Sequence, residues 1–210
     1  KQPNQKLLPK SKFIYLISPN KNINKNFFNN LKLILKTRKV AFFQLRVKKK
    51  SFKYKFNLGK KIKRITKKFK VKFIINDEPV LAQKLGADGC HLGQMDTDIK
   101  KTRKILQNKT IGITCHNSKK LINEAILNKA DYIAIGSFFY TKTKRVKHRA
   151  TLKTLLYAKK ITKIPIVAIG GIKDTNYKKL LLNKANFLAI SSYIWNNKKL
   201  SPVEAIRKLK

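Results

Sequence analysis

The residues best equipped for chemistry in this chain are its acids, because they are so scarce: nine Asp and Glu among 210 residues, against 51 Lys and Arg. Four of the nine, Asp77, Glu78, Asp96 and Asp98, fall directly after two successive apolar runs, FII at 73–75 and CHL at 90–92. Carboxylates delivered to one rim suit Mg2+, a hard cation that takes oxygen ligands and keeps its remaining positions for water or phosphate oxygens. Asp77 and Asp96 are the expected pair. The competing uses are local: Asp77 or Asp98 as the N-cap of a following helix, or plain surface acids.

Cations and hydroxyls stand after other runs. FFQLRVK at 42–48 alternates, so Gln44, Arg46 and Lys48 share one side of a strand while Phe43, Leu45 and Val47 share the other. A Gln with two cations can hold a heterocycle and an attached phosphate chain. Thr141, Thr143 and Lys144 offer two hydroxyls and an ammonium, in a basic loop reaching about Arg149 that could close over an anion. Gly170-Gly171 and Ser191-Ser192 lie where backbone N–H groups approach a phosphate closely. Cys90-His91 and Cys115-His116 resemble a two-Cys, two-His zinc set, yet adjacent strand residues face opposite ways, so neither dipeptide chelates easily. The same geometry argues against Cys115 and His116 as nucleophile and base.

The elements that must position these groups follow from the apolar pattern. Eight strand-like runs recur, at 13–17, 40–45, 71–75, 89–92, 110–114, 132–136, 166–169 and 187–191. Between them lie segments with helical spacing, such as Leu31/Ile34/Leu35, Leu58/Ile62/Ile65/Phe69 and Leu152/Leu155/Leu156. A last helix is expected over 202–209, with Ser201 as N-cap and Pro202 at its first position. An internal echo, Gly86-Ala87-Asp88, Lys129-Ala130-Asp131 and Lys184-Ala185-Asn186, marks the return from helix to strand. Unbroken alternation predicts an α/β fold: a single (β/α)8 TIM barrel with parallel strands over 11–210, preceded by a loose basic lead-in at 1–10. Ligand-type residues then gather at the strands' C-terminal ends.

The net charge of +42 raises a polyanion partner as a question. Lysine spreads along every expected helix beside abundant Asn and Ile, and no binding motif or aromatic cluster accompanies it, so it reads as solvated surface and not as a specific nucleic-acid site. Two unpaired-looking thiols, no signal-peptide core and no apolar stretch of spanning length favour a cytoplasmic protein without a membrane partner.

Taken together, the clusters resemble the thiamine-phosphate synthase family, which shares its barrel with thiazole tautomerase relatives. The resemblance runs in order from FIYLIS at 13–18 to FLAISS at 187–192. Its most specific parts are Gln44-x-Arg46-x-Lys48, Asn76-Asp77, GADGCHLGQMD at 86–96, Gly112-x-Thr114-x-His116, Thr141-x-Thr143-Lys144 and Gly170-Gly171-Ile172.

The resemblance implies a Mg2+-dependent transferase that joins 4-amino-5-hydroxymethyl-2-methylpyrimidine diphosphate to 4-methyl-5-(2-phosphoethyl)thiazole, releasing pyrophosphate. It implies Mg2+ on Asp77 and Asp96, with Arg46, Lys48, Asn76 and Lys144 stabilising the departing pyrophosphate. Gln44 would orient the pyrimidine, Thr114 would meet the diphosphate region, and Thr141, Thr143, Gly171 and Ser191 would hold the thiazole's phosphate. The partners are then two small phosphorylated substrates, with room for a homo-oligomer. The chain departs from the family pattern beside these positions: Val47 and Met95 replace acids, Glu78 a basic residue, Thr114 a serine, and Ser137 and Tyr140 prolines. The alternatives are a tautomerase-like relative using His116 as a base, and a basic nucleic-acid-binding protein on a barrel scaffold.

Overall fold

The computed structural model describes residues 12–141 and 149–210. Eight strands form where the apolar runs predict them: β1 Ile14–Ile17, β2 Val40–Leu45, β3 Lys72–Asn76, β4 Gly89–Leu92, β5 Thr110–His116, β6 Tyr132–Gly136, β7 Ile166–Ile169 and β8 Phe187–Ile190. Each pairs in parallel with the next, and β8 returns to β1, so the sheet closes into a barrel. The helices are α1 Lys25–Lys36, α2 Phe52–Lys68, α3 Pro79–Leu85, α4 Ile99–Leu106, α5 Lys119–Leu127, α6 Leu152–Ile161, α7 Tyr177–Leu182, α8 Ser192–Trp195 and α9 Pro202–Lys208. A (β/α)8 barrel is thus the architecture; the expected lead-in at 1–10 lies outside the described residues.

Side chains with short oxygens start most helices where the chain leaves a loop. Asn24, Ser51, Asp98, Ser118 and Thr151 each accept a first-turn N–H, satisfying donors that have no helical partner. Ser201 caps α9 as the sequence predicts, and Glu204 completes a capping box. The four-residue α8 is too short to leave a periodic signal.

Strand alternation divides the core into two layers. Phe43, Leu45 and Val47 pack outward against the helices with residues such as Leu16, Phe73 and Ile75. Tyr15, Ile17, Tyr132, Ala134, Val167 and Ala189 fill the barrel interior, with Phe42, Ile169 and Phe187 against them. Each fully buried side chain of this size contributes about 1.5–3 kcal/mol.

The internal echo has a structural cause. Asp88 Oδ2 accepts from Phe73 N at 2.8 Å, Asp131 Oδ2 from Ile111 N at 2.7 Å, and Asn186 Oδ1 from Ile166 N at 2.9 Å. In each case the backbone N–H of the echoed residue returns a 2.8 Å bond to the carbonyl of the same partner. Three strands are clamped to their neighbours at the N-terminal end of the barrel, opposite the end where the candidate site residues gather.

Candidate active site

The C-terminal ends of β2, β3 and β4 bring the proposed metal and diphosphate residues together. Asp77 follows Asn76, the last residue of β3, and holds a left-handed backbone, φ 63°. Its N–H donates to the carbonyl of His91 on β4 at 2.8 Å, which fixes the loop against the neighbouring strand. Asp96 curls back so that Oδ2 accepts from Gly93 N at 2.6 Å, and its carboxyl meets that of Asp77. Burial, and then Asp96, push the Asp77 carboxyl up to about 6; Lys48 and Asn76 oppose the rise. Lys48 Nζ stands 3.9 Å from Asp77.

The four clustered acids therefore divide by role. Asp77 and Asp96 face each other, Glu78 pairs with Lys55 of α2, and Asp98 caps α4 through Lys100 N and Lys101 N. Asp98 fits the capping reading; Asp77 does not, since Glu78 occupies the N-cap of α3. No group of three or more His, Cys, Asp or Glu residues suited to a metal occurs among the described residues. Two adjoining carboxylates whose mutual repulsion a divalent cation would relieve do fit Mg2+, which commonly takes one or two carboxylates and completes its shell with water and phosphate oxygens. A hollow of about 310 Å³ opens beside them, lined by Lys48, Lys49, Lys55, Asn76, Asp77 and Glu78 among others.

Gln44 sits inside the barrel, almost fully buried, with Nε2 donating to Tyr15 Oη at 2.9 Å. Arg46 directly follows the last residue of β2, and its N–H donates to Ser18 Oγ at 2.9 Å. Thr114 Oγ1 lies 2.9 Å from His91 Nε2. Cys90 packs outward, while its neighbour His91 points inward, the opposed facing expected of adjacent strand residues. Cys115 is likewise buried in the outer layer.

On the far side of the rim, the loops after β6 and β7 touch. Phe139 N donates to Gly170 O at 3.0 Å. Gly171 has φ 64°, and a Cβ there would meet the Tyr140 carbonyl oxygen at 2.3 Å, so only glycine fits. Thr141 follows directly, whereas Thr143 and Lys144 lie outside the described residues. Ser191 Oγ donates to Ser18 O at 3.3 Å, joining the end of β8 to the segment that also holds Arg46.

Several residues in and near this rim were assigned no role from the sequence. Tyr15 and Tyr132 read as ordinary core and Ser18 as the end of an apolar run, and His91 had no role assigned beyond half of a doubtful metal pair and a place in the 86–96 motif. The signal that could have found Tyr15 is strand parity, since alternation on β1 turns it to the same interior as Gln44. Of the departures from the family pattern, Val47 is buried in the outer layer, Met95 is fully exposed, and Glu78 is neutralised by Lys55.

A closed parallel barrel whose rim pairs two carboxylates with cations and phosphate-type loops defines a phosphate-handling (β/α)8 enzyme. The family described as Thiamine monophosphate synthase matches residues 14–194, and the chain belongs to it. It is 65% identical to the thiamine-phosphate synthase of Pelagibacter ubique (strain HTCC1062), over 95% of this chain and 96% of that one. The thiamine-phosphate synthase of Erythrobacter litoralis (strain HTCC2594) is 38% identical, over 91% and 92% of the two chains. Among solved structures, the thiamine phosphate pyrophosphorylase from Pyrococcus furiosus superimposes with a TM-score of 0.83 at 25% identity, covering 94% of this chain and 93% of that one. Membership places the chain among the transferases of thiamine biosynthesis.

Proposed function

We propose that this chain condenses 4-amino-5-hydroxymethyl-2-methylpyrimidine diphosphate with 4-methyl-5-(2-phosphoethyl)thiazole, giving thiamine phosphate and pyrophosphate. The observation that carries this reading is the contact between Asp77 and Asp96 beside Lys48, a place where negative charge needs a cation. Mg2+ held there by Asp77 and Asp96 supplies positive charge to the diphosphate. Lys48, Arg46 and Asn76 add donors and charge on the same side, so the C–O bond to pyrophosphate breaks where the leaving charge is stabilised. The thiazole nitrogen then captures the pyrimidinylmethyl cation, and no side-chain nucleophile is required.

Gln44 orients the pyrimidine from within the barrel, and Thr114 meets the diphosphate. Thr141, Gly171 and Ser191 hold the thiazole's phosphate from the other half of the rim; Thr143 and Lys144 join them as sequence-based assignments outside the described residues. The barrel over 11–210 is read as the catalytic unit. We read the enzyme as cytoplasmic with no membrane partner; no helix among the described residues is long and apolar enough to cross a membrane. The lysines serve as solvated surface with no specific nucleic-acid partner, and a homo-oligomer is compatible with the site.

The test is to incubate the protein with both phosphorylated precursors and Mg2+ and to measure thiamine phosphate and pyrophosphate together. Equal amounts are expected. Undiminished product from an Asp77→Asn, Asp96→Asn double variant would refute the metal assignment.

A further inference from the structure

A continuous chain of hydrogen bonds crosses the barrel interior from β2 to β5. Gln44 Nε2 donates to Tyr15 Oη at 2.9 Å, and Tyr15 Oη lies 2.7 Å from Tyr132 Oη. Tyr132 Oη lies 2.9 Å from His91 Nδ1, and His91 Nε2 lies 2.9 Å from Thr114 Oγ1. Both tyrosines and His91 are buried, and the imidazole lies between two neutral hydroxyls with a hydrogen-bond partner at each nitrogen, a setting that holds it as the neutral ring with one N–H.

Counting protons fixes what this chain can do. Its four bonds need four hydrogens, one in each. Tyr15, Tyr132 and neutral His91 supply one apiece, so the fourth must come from an end. If Gln44 supplies it, Tyr15 donates to Tyr132, Tyr132 donates to His91 Nδ1, and His91 Nε2 donates to Thr114. The Thr114 O–H and the Gln44 Oε1 lone pairs then remain for a ligand. If Thr114 supplies it, every bond reverses, and Thr114 offers only lone pairs while Gln44 offers only N–H groups. The Gln44 amide adopts the first arrangement. An anion at Thr114 selects that arrangement too, because phosphate oxygens accept hydrogen bonds and are repelled by lone pairs.

We propose that Tyr15, Tyr132 and His91 are positioning residues that make the two ends of the site interdependent: an anion at Thr114 obliges Gln44 to act as an acceptor. The ligand that satisfies both ends carries a diphosphate at one and a hydrogen-bond donor, such as a ring amino group, at the other. This deepens the proposed reaction and rests on it, since the aminopyrimidine diphosphate carries both groups. An analogue lacking the amino group leaves Gln44 Oε1 unpaired, and the amide cannot turn without setting Thr114 against the diphosphate.

Two measurements test this on the full chain. With [15N]histidine and inorganic pyrophosphate plus Mg2+ as the probe, long-range 1H–15N correlations report which ring nitrogen carries the proton; the His91 signals are those lost in His91→Gln. The Nε2–H form is expected in the native protein, and a mixture with the Nδ1–H form in Tyr132→Phe. A native Nδ1–H ring overturns the proposal. In kinetics, the preference in kcat/KM for the aminopyrimidine diphosphate over its des-amino analogue should fall about tenfold in Tyr132→Phe and in Tyr15→Phe, chiefly through KM. An unchanged preference in both variants also overturns it. If either variant fails to fold, the native spectrum decides. Absence of thiamine phosphate from the native chain would instead sink the proposed reaction, while the tautomer measurement needs no turnover.

Discussion

Asp131 and Ile111 hold each other twice: the Asp131 carboxylate accepts from Ile111 N at 2.7 Å, and Asp131 N donates to Ile111 O at 2.8 Å. Arg103 reaches the same carboxylate oxygen at 2.7 Å, but both partners are substantially exposed, so that ion pair adds little. Asp131→Ala should therefore cost about 1–3 kcal/mol, the penalty of a strand N–H left without its partner. Asp131→Asn keeps an acceptor and should recover most of the loss. Urea unfolding of the two variants makes the comparison, and equal losses would assign the effect to the ion pair.

Gly112 is fixed by the residue it pairs with on the adjacent strand β6. A Cβ on Gly112 would lie 1.9 Å from Tyr132 Cζ, so Gly112→Ala must displace the ring that links Tyr15 to His91. Overpacking of this kind costs about 1–3 kcal/mol. The near-ultraviolet circular dichroism of the tyrosines should change along with stability, and a variant with native stability and an unchanged spectrum would refute the contact.

Thr102 carries the opposite opportunity. Its side chain is fully buried on α4 and its hydroxyl has no hydrogen-bond partner among the described residues. Thr102→Val keeps the shape and removes the unsatisfied group, so stability should rise by about 1 kcal/mol. Thermal or urea unfolding reads this directly, and a loss of stability would mean that the hydroxyl is satisfied.

Burial pushes the Cys115 thiol up to about 12 and raises the Cys90 thiol as well. Neither side chain is exposed. Iodoacetamide at about pH 8 should leave both untouched in the folded protein and modify both in urea, since the thiolate is the reactive form. Labelling of either at the rate of a free cysteine would contradict its placement in the outer layer.

Asp77 should trade stability for activity. With its carboxyl raised from the ordinary 3.8 to about 6, the folded protein binds an extra fraction of a proton between those values, and stability falls as pH rises through that window. In chelator at about pH 8, Asp77→Asn should thus be more stable than the native chain, with the advantage shrinking below about pH 5. Mg2+ should raise the native Tm and leave that of the variant unmoved, while turnover in the variant drops about a hundredfold. A native Tm indifferent to Mg2+ would argue against this carboxylate as a ligand.

The barrel was legible because buried parallel strands are nearly continuous apolar runs, and all eight lie within about two residues of where those runs predict them. The alternation over 42–45 correctly sends Gln44 inward and Phe43 outward. The pairing of Asp77 with Asp96 and the capping use of Asp98 could be read from the sequence, but not the turn of Glu78 toward Lys55, because the adjacent Asp77 and Glu78 take different partners only once the chain turns left-handed at Asp77. Nor were the tyrosines of the interior chain, whose hydroxyls find partners from strands far apart in sequence. Composition favours the core reading for such residues whenever their polar atoms are satisfied internally.

The clamps of Asp88, Asp131 and Asn186 sit at one mouth of the barrel and the proposed reacting groups at the other. The same eight strands therefore carry two separable inheritances. A selection for abundance of folded protein would mark residues at the first mouth, and a selection for growth without supplied thiamine would mark those at the second, with the Tyr15–Tyr132–His91 span as the middle ground where both would register.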